Sequence, residues 1–184
     1  MENLSKIFPK RKYFFHYIAG FVDGEGSFSA SVKRQEGTRF GWVIDPVFHI
    51  TQNQSQRELL EAISKELHVG RVIEKHGQPG TILLIVDNRK QLSERLIPFF
   101  KKYRLVVKGK SFETFSEIVE RLEKKEHTEI NGFKRILNLA FQMHGKGKKK
   151  YEMEYVLKNL KSDKNLRDQT PDQRKLDDMV QPQQ

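Results

Sequence analysis

The feature that most constrains this chain is an apolar helix-forming segment that ends in closely spaced glycines. Residues 13–24 are apolar on most sides, and within the run IAGFVDGEGSF at residues 18–28, Gly20 and Gly24 are four positions apart. Glycines at this spacing share one face of a helix and leave it without side chains, so that another helix can approach closely. We therefore predict a helix at residues 13–24 that is buried or packs against more than one neighbour.

An acidic residue, Glu25, follows this helix directly and is flanked by Gly24 and Gly26. Its carboxylate is expected at the C-terminal end of the helix, where the backbone dipoles already carry partial negative charge. If two such helices cross, two carboxylates and two helix ends meet, and a cation is needed to stabilise the cluster. Mg²⁺ fits this environment because it accepts hard oxygen ligands and keeps several of its waters.

The segment after Gly26 alternates between apolar and polar residues. Phe28, Ala30 and Val32 alternate with serines and Lys33, which predicts a strand at residues 26–34 with one buried face. A loop at residues 35–39 and a second strand at residues 40–52 complete a hairpin. Pro46 inside the second strand indicates an edge position or a bulge.

The rest of the chain predicts further helices and a second hairpin. Helical spacing of leucines marks residues 54–67 and 89–103, and between them strands at 69–76 and 81–87 flank a glycine-rich turn. The resulting order is α-β-β-α-β-β-α, an α+β fold in which helices cover one face of an antiparallel sheet. Helices at 110–125 and 128–144 follow. We divide the chain into a basic arm at 1–12, one domain at 13–160 and a flexible polar tail at 161–184.

The charge of the chain points to a polyanionic partner. Lys and Arg total 34 against 24 Asp and Glu, which gives a net charge of +10. Nucleic acid is favoured over a membrane as the partner, because no apolar run approaches the roughly 20 residues that span a bilayer. The N-terminus does not have the pattern of a signal peptide, and the absence of cysteine excludes disulfides and thiolate sites. These features predict an intracellular protein.

The nine residues 18–26 strongly resemble the LAGLIDADG motif of homing endonucleases, with Glu25 in the place of the last acidic residue. Similarity continues in FHITQ at 48–52, in the basic segment at 98–112, and in the region from Gly132-Phe133 to residue 147. Only one motif is present. The sequence therefore looks closest to the single-motif, intron-encoded members of that family, which act as homodimers.

The resemblance implies a catalytic centre. Glu25 is the expected metal ligand, with the Gly24 carbonyl as a backbone ligand and Mg²⁺ or Mn²⁺ as the cofactor. Gln52 is expected to orient water and Lys108 to polarise the solvent network or the phosphate. For Lys108 the alternative is a phosphate contact or a solvated lysine, and for Gln52 a strand-end residue without a role. Asp23 is expected to be structural, and Arg57 is a weaker candidate for the edge of the site.

DNA recognition is expected on the sheet face that helices do not cover, because an antiparallel ribbon fits the major groove. Together the two hairpins are expected to form a DNA-binding saddle, with double-stranded DNA as the partner and a pseudo-palindromic target. The candidate DNA-reading residues are Ser29, Ser31, Lys33, Gln35, His49, Thr51, Arg71, Ile73 and Lys75. The basic turn at 145–150 suits phosphate contacts, or is simply a solvated loop.

Two other functions compete with a site-specific endonuclease. Proteins of this fold also act as RNA maturases, in which case intron RNA is the partner. A DNA-binding regulator without catalysis is the third hypothesis, although it has no need for Glu25 between two glycines. The resemblance places the protein in an organelle or in a prokaryotic cytoplasm.

Overall fold

The computed structural model describes residues 6–143 and 150–161. The chain runs through α1 (Arg11–Glu25), β1 (Gly26–Arg34), β2 (Trp42–Asn53), α2 (Arg57–Leu67), β3 (Arg71–Glu74) and β4 (Thr81–Val86). It continues through α3, a continuous helical run of three segments (Arg89–Gln91, Leu92–Leu96 and Ile97–Lys102), and then α4 (Gly109–Glu123), α5 (Ile130–Met143) and α6 (Met153–Lys158). The order predicted from the sequence is confirmed.

The strands form one antiparallel sheet in the order β1-β2-β4-β3. Strand β1 pairs with β2 from Gly26 opposite Ile50 to Arg34 opposite Trp42, whereas β4 pairs with β2 only from Phe48 onward. Pro46 lies in the part of β2 that has β1 as its one neighbour in the sheet. This is the edge position that its missing N–H requires.

Alternate residues of the strands point into a core beneath the helices. Phe28 contacts the rings of Phe48, Phe100, Phe112 and Phe115, which joins the sheet to α3 and α4. A second buried cluster around Trp42 and Phe133 packs α5 and α6 against the hairpin of β1 and β2. The helices therefore cover one face, and the other face remains open.

Several boundaries differ from the sequence-based expectation. Helix α1 begins at Arg11, so Arg11 and Lys12 belong to the helix and not to a separate arm. Strand β2 begins at Trp42, after Gly41 closes the loop with a φ of +76°. Strand β3 is limited to four residues, and Gly70 before it has a φ of +66° and lies so close to the Ile85 carbonyl that a Cβ would meet it at 2.3 Å.

The basic turn, apart from Lys150, and the tail, apart from Lys161, lie outside the described residues, so the character of both segments stays a prediction. Within the described ranges, no helix is long and apolar enough to cross a membrane.

Candidate functional site

The site begins at the C-terminal end of α1, where the helix passes directly into β1. The Gly26 N–H bonds to the Val22 carbonyl and closes the last turn of the helix. A Cβ at Gly26 would lie 2.6 Å from the Val22 side chain, so glycine is required for the chain to turn into the strand here. Glu25 is exposed, and its carboxylate has no hydrogen-bond or ion-pair partner among the described residues.

Asp23 fixes a loop from a distant part of the chain against this helix end. Its carboxylate accepts backbone N–H bonds from Val106 and Val107 at 3.0 and 2.9 Å, and from Lys108 at 2.8 Å. Burial acts to raise the pKa of Asp23, but these hydrogen bonds outweigh it and leave the pKa below its usual value. Asp23 is thus positioned as a structural residue, which agrees with the sequence-based expectation.

Lys108 completes the contact in the opposite direction. Its ammonium donates to the carbonyl oxygens of Asp23 and Gly24, at 2.6 Å each. These carbonyls are at the C-terminal end of α1, where the helix dipole favours a cation. The fold therefore brings together three residues that the sequence predicted for the site: Gly24, Glu25 and Lys108. Lys108 lies 84 positions after Gly24 along the chain.

The donors at this helix end suit a hard divalent cation. The Gly24 carbonyl already accepts a hydrogen bond from the Lys108 ammonium. The Glu25 carboxylate next to it has no partner among the described residues and is free to bind a cation. Among the described residues, no group of three or more His, Cys, Asp or Glu side chains could hold a metal within one chain. Within one chain this helix end therefore presents one carboxylate, that of Glu25, beside the Gly24 carbonyl.

Gln52 and Arg57 differ in how well the fold places them. Gln52 is two residues beyond the Gly26–Ile50 pair, which brings it beside the turn from α1 into β1. Arg57 instead contacts Gln54 at 3.3 Å and Glu61 at 3.5 Å. The position of Gln52 supports a role near Glu25, whereas the contacts of Arg57 are local.

The glycine face of α1 is bare in the folded chain. A Cβ added at Gly20 or at Gly24 would meet nothing within 4 Å. Tyr13 and Tyr17 on the same helix are 46% and 37% exposed, which is unusual for large rings on a helix with a buried side. These residues form a surface that a second helix can approach closely.

The open sheet face carries the residues predicted to read DNA. The register aligns Ser27 with His49, Ile85 and Arg71 across all four strands, and Thr51 with Leu83 and Ile73. All the candidates are half-buried or exposed: Ser29, Ser31, Lys33, Gln35, His49, Thr51, Arg71, Ile73 and Lys75. Burial, together with the nearby Lys75, lowers the pKa of His49, which favours the neutral form of this imidazole.

Two acidic residues on this face were missed as site residues by sequence reasoning. Asp45 accepts from the Lys33 ammonium at 2.5 Å, and Asp87 binds the Arg71 guanidinium through two hydrogen bonds of 2.8 Å each. The bond from Arg71 is the main cause of the lowered pKa of Asp87. The alternation of β2 places Asp45 on this face, but its pairing with Lys33 depends on the register of the hairpin.

Comparison with known proteins supports the identification of this chain as a DNA endonuclease. The archaeal intron-encoded homing endonuclease I-Vdi141I, solved in complex with DNA, superposes with a TM-score of 0.76 at 43% identity, over 81% of this chain and 95% of that one. Homing endonuclease I-ApeII of Aeropyrum pernix is 34% identical over 80% of this chain and 90% of its own length. DNA endonuclease I-CeuI of Chlamydomonas moewusii is 31% identical over 62% of this chain and 54% of its own.

The model of the LAGLIDADG endonuclease family matches residues 18–119, from the glycine-faced helix through α4. The chain belongs to the LAGLIDADG endonuclease family. Its α+β fold, with helices on one face of an antiparallel four-stranded sheet, is the fold of these relatives.

Proposed function

We propose that this chain is a site-specific double-strand DNA endonuclease of the homing type that acts as a homodimer with Mg²⁺ or Mn²⁺. The observation that carries the proposal is the unpartnered Glu25 carboxylate at the end of a helix whose glycine face is bare. The chain belongs to the LAGLIDADG endonuclease family, and relatives of similar sequence were solved with DNA bound.

The proposed dimer brings two copies of α1 together along Gly20 and Gly24. Two-fold symmetry then places two Glu25 carboxylates near one axis, each at the end of a helix. The like charges would repel each other, and a divalent cation held by the two carboxylates would offset that repulsion, so dimer formation and metal binding would support each other. The same symmetry predicts a target of two inverted half-sites, each contacted by one open sheet face.

The roles of the side chains follow from their places in the fold. Glu25 and the Gly24 carbonyl would hold the metal, which supplies charge neutralisation at the phosphate and an activated water. In the single chain the Lys108 ammonium donates to the Gly24 carbonyl at 2.6 Å, so a metal held by that carbonyl would displace it, and the ammonium at the edge of the site would then stabilise negative charge on the phosphate. We propose that Gln52 orients water, because the register of β2 puts it beside the turn from α1 into β1. The residues of the open face contact base edges in the major groove.

The test is cleavage of plasmids that carry long randomised inserts, with Mg²⁺, by the full chain and by Glu25→Gln. We expect the wild type to linearise a reproducible subset of inserts and the variant to bind that subset without cutting it. Glu113→Gln is the matched control, because Glu113 is exposed on α4 and the same charge is removed. Undiminished cutting by Glu25→Gln would overturn the proposal.

The same cleavage experiment, with binding to intron RNA and to the insert DNA measured beside it, distinguishes the RNA maturase and the non-catalytic regulator. A maturase would bind intron RNA and cut no insert, and a regulator would enrich a DNA sequence without cutting it. An intracellular location in an organelle or a prokaryote stays a prediction.

A further inference from the structure

The open sheet face carries a row of four charged side chains that crosses the whole sheet. Lys33 on β1 pairs with Asp45 on β2, and Arg71 on β3 pairs with Asp87, the residue after β4. In the sheet register, Asp45 lies opposite Ser31, and Asp87 follows the Phe48–Val86 pair, so the two ion pairs lie near each other on this face. From β1 to β3 the order of charge is positive, negative, negative, positive.

Two carboxylates are unexpected on a surface that binds a polyanion. A chain with a net charge of +10 attracts any DNA backbone, and each carboxylate on the contact face opposes that attraction. Asp45 and Asp87 are 34% and 36% exposed, so both stay accessible from the open face while they bind their partners. Their position therefore disfavours close approach of a phosphate at this row.

The geometry of the Arg71–Asp87 pair also fixes the direction of the guanidinium. Nη1 and Nη2 each donate one hydrogen bond to the two carboxylate oxygens, which holds the planar group in one orientation. A guanidinium has five N–H donors, so three remain for other acceptors. An arginine held in this way suits the fixed O6 and N7 acceptors of guanine. Binding a phosphate does not require this fixed orientation, because an unpaired arginine can turn towards the phosphate.

We propose that Asp45 and Asp87 are specificity-determining residues, which direct Lys33 and Arg71 towards base edges and weaken binding to DNA of any other sequence. The inference rests on the proposed function, since it assumes that the open face contacts DNA. It assigns a role to two acids whose charge is wrong for binding phosphate. Lys33 and Arg71 thus act as parts of pairs and not as single cations.

The test compares Asp45→Asn and Asp87→Asn with Glu120→Gln in the full chain. Glu120 pairs with Lys101 at 2.7 Å, and the two side chains are 45% and 59% exposed, so the control removes a similarly exposed and paired carboxylate from the helical side. Each protein is titrated with a random-sequence duplex over a range of salt concentrations. Each is then used to select bound duplexes from a randomised library.

We expect the two aspartate variants to bind the random duplex roughly 10-fold more tightly at about 0.1 M salt, with a steeper salt dependence, because one more cation each becomes free to contact phosphate. The control should change this affinity less than about threefold, because salt screens a distant charge. In the library, the aspartate variants should lose preference at some positions that the wild type selects. Arg71→Lys should lose the same preference as Asp87→Asn without the gain in random-duplex affinity.

Aspartate variants that match Glu120→Gln in affinity and keep the wild-type base preferences would overturn this inference alone. A wild-type chain that selects no sequence would overturn the proposed function as well. The two failures are therefore distinguishable.

Discussion

The Asp23 carboxylate and the backbone N–H of Lys108 are joined by a hydrogen bond of 2.8 Å, and the Lys108 ammonium donates back to the Asp23 carbonyl at 2.6 Å. This reciprocal contact fixes the start of α4 against the end of α1. Asp23 thereby sets the position of Lys108 relative to Glu25, so a residue that contacts no substrate controls the geometry of the proposed catalytic centre.

Asp23→Asn tests this positioning role. The amide nitrogen cannot accept, so at least one of the three backbone N–H bonds is lost, and we expect the free energy of unfolding to fall by about 1 kcal/mol. The cleavage rate should fall as well, because the loop that brings Lys108 to the Gly24 carbonyl loses at least one of its anchoring hydrogen bonds. Urea unfolding and single-turnover cleavage are the measurements, with Glu113→Gln as the control for loss of a charge.

The pH dependence of this contact has a defined sign. The pKa of Asp23 is lowered in the folded chain, so its contribution to stability is fully present above the ordinary pKa of an aspartate. It is lost as the pH falls through the lower folded value. The stability difference between wild type and Asp23→Asn should therefore shrink in acid, and a constant difference would contradict the role of the ionised carboxylate.

Lys108→Met should separate catalysis from binding. The substitution removes the ammonium from the Asp23 and Gly24 carbonyls but keeps most of the apolar stem. We expect cleavage to slow by about 100-fold, whereas affinity for the target in Ca²⁺ should change less than about threefold, since one charge is removed. Lys110→Met, two residues further on and exposed on α4, is the matched control. Equal loss of activity in both variants would mean that general positive charge matters here and not the place of Lys108.

The sequence was sufficient to predict the elements because their periodicity is local. The alternation from Phe28 to Val32 fixed the open and covered faces of β1, and the glycine spacing marked the bare face of α1. The pairing of Asp23 with Val106, Val107 and Lys108 was not visible, because 83 to 85 residues separate the partners. Sequence reasoning could place Asp23 as structural only through the family resemblance.

The interior of α3 shows the same limit. Residues 89–103 were predicted as one regular helix, but Leu92–Leu96 forms a π turn in which the Ile97 N–H bonds to the Leu92 carbonyl. Pro98 follows directly and has no N–H to donate, so the regular ladder is already interrupted at this point. The four apolar residues of the predicted face were still buried as expected: Leu92, Leu96, Ile97 and Phe100.

The imidazole of His127 should make the fold sensitive to mild acid. Its Nδ1 atom is buried and has no hydrogen-bond partner in the part of the chain that the structure describes, and burial, with the nearby Arg89, lowers the pKa of His127. A lowered folded pKa means that the unfolded chain binds the proton more readily, so stability is present above the ordinary pKa of histidine, near 6.5, and declines as the pH falls below it. We expect His127→Leu to reduce this decline in urea unfolding measured from pH 7.5 to pH 5.

His49 titrates in the same direction, so it needs its own variant. His49→Gln removes the second histidine with a lowered pKa and should independently reduce the decline in stability below about pH 6.5. If the unfolding free energies of wild type and His127→Leu keep a constant difference over this pH range, the buried imidazole is not the source of the acid sensitivity.

Glycines in and next to α1 should respond to alanine in opposite ways, which separates the fold from the dimer. At Gly20 an added Cβ meets nothing within 4 Å in the single chain, and alanine favours a helix over glycine by about 1 kcal/mol. Gly20→Ala should therefore keep or raise the stability of the monomer. In the proposed dimer the same methyl group separates the two helices, so the dissociation constant of the dimer should rise at least about 10-fold, or about 1.4 kcal/mol.

Gly26→Ala should instead lower the stability of the monomer, because its Cβ would lie 2.6 Å from the Val22 side chain and 2.7 Å from the Val22 carbonyl oxygen. Sedimentation equilibrium reports the dimer and urea unfolding reports the fold, and a Gly20→Ala protein that dimerises as tightly as the wild type would exclude this face of α1 as the interface.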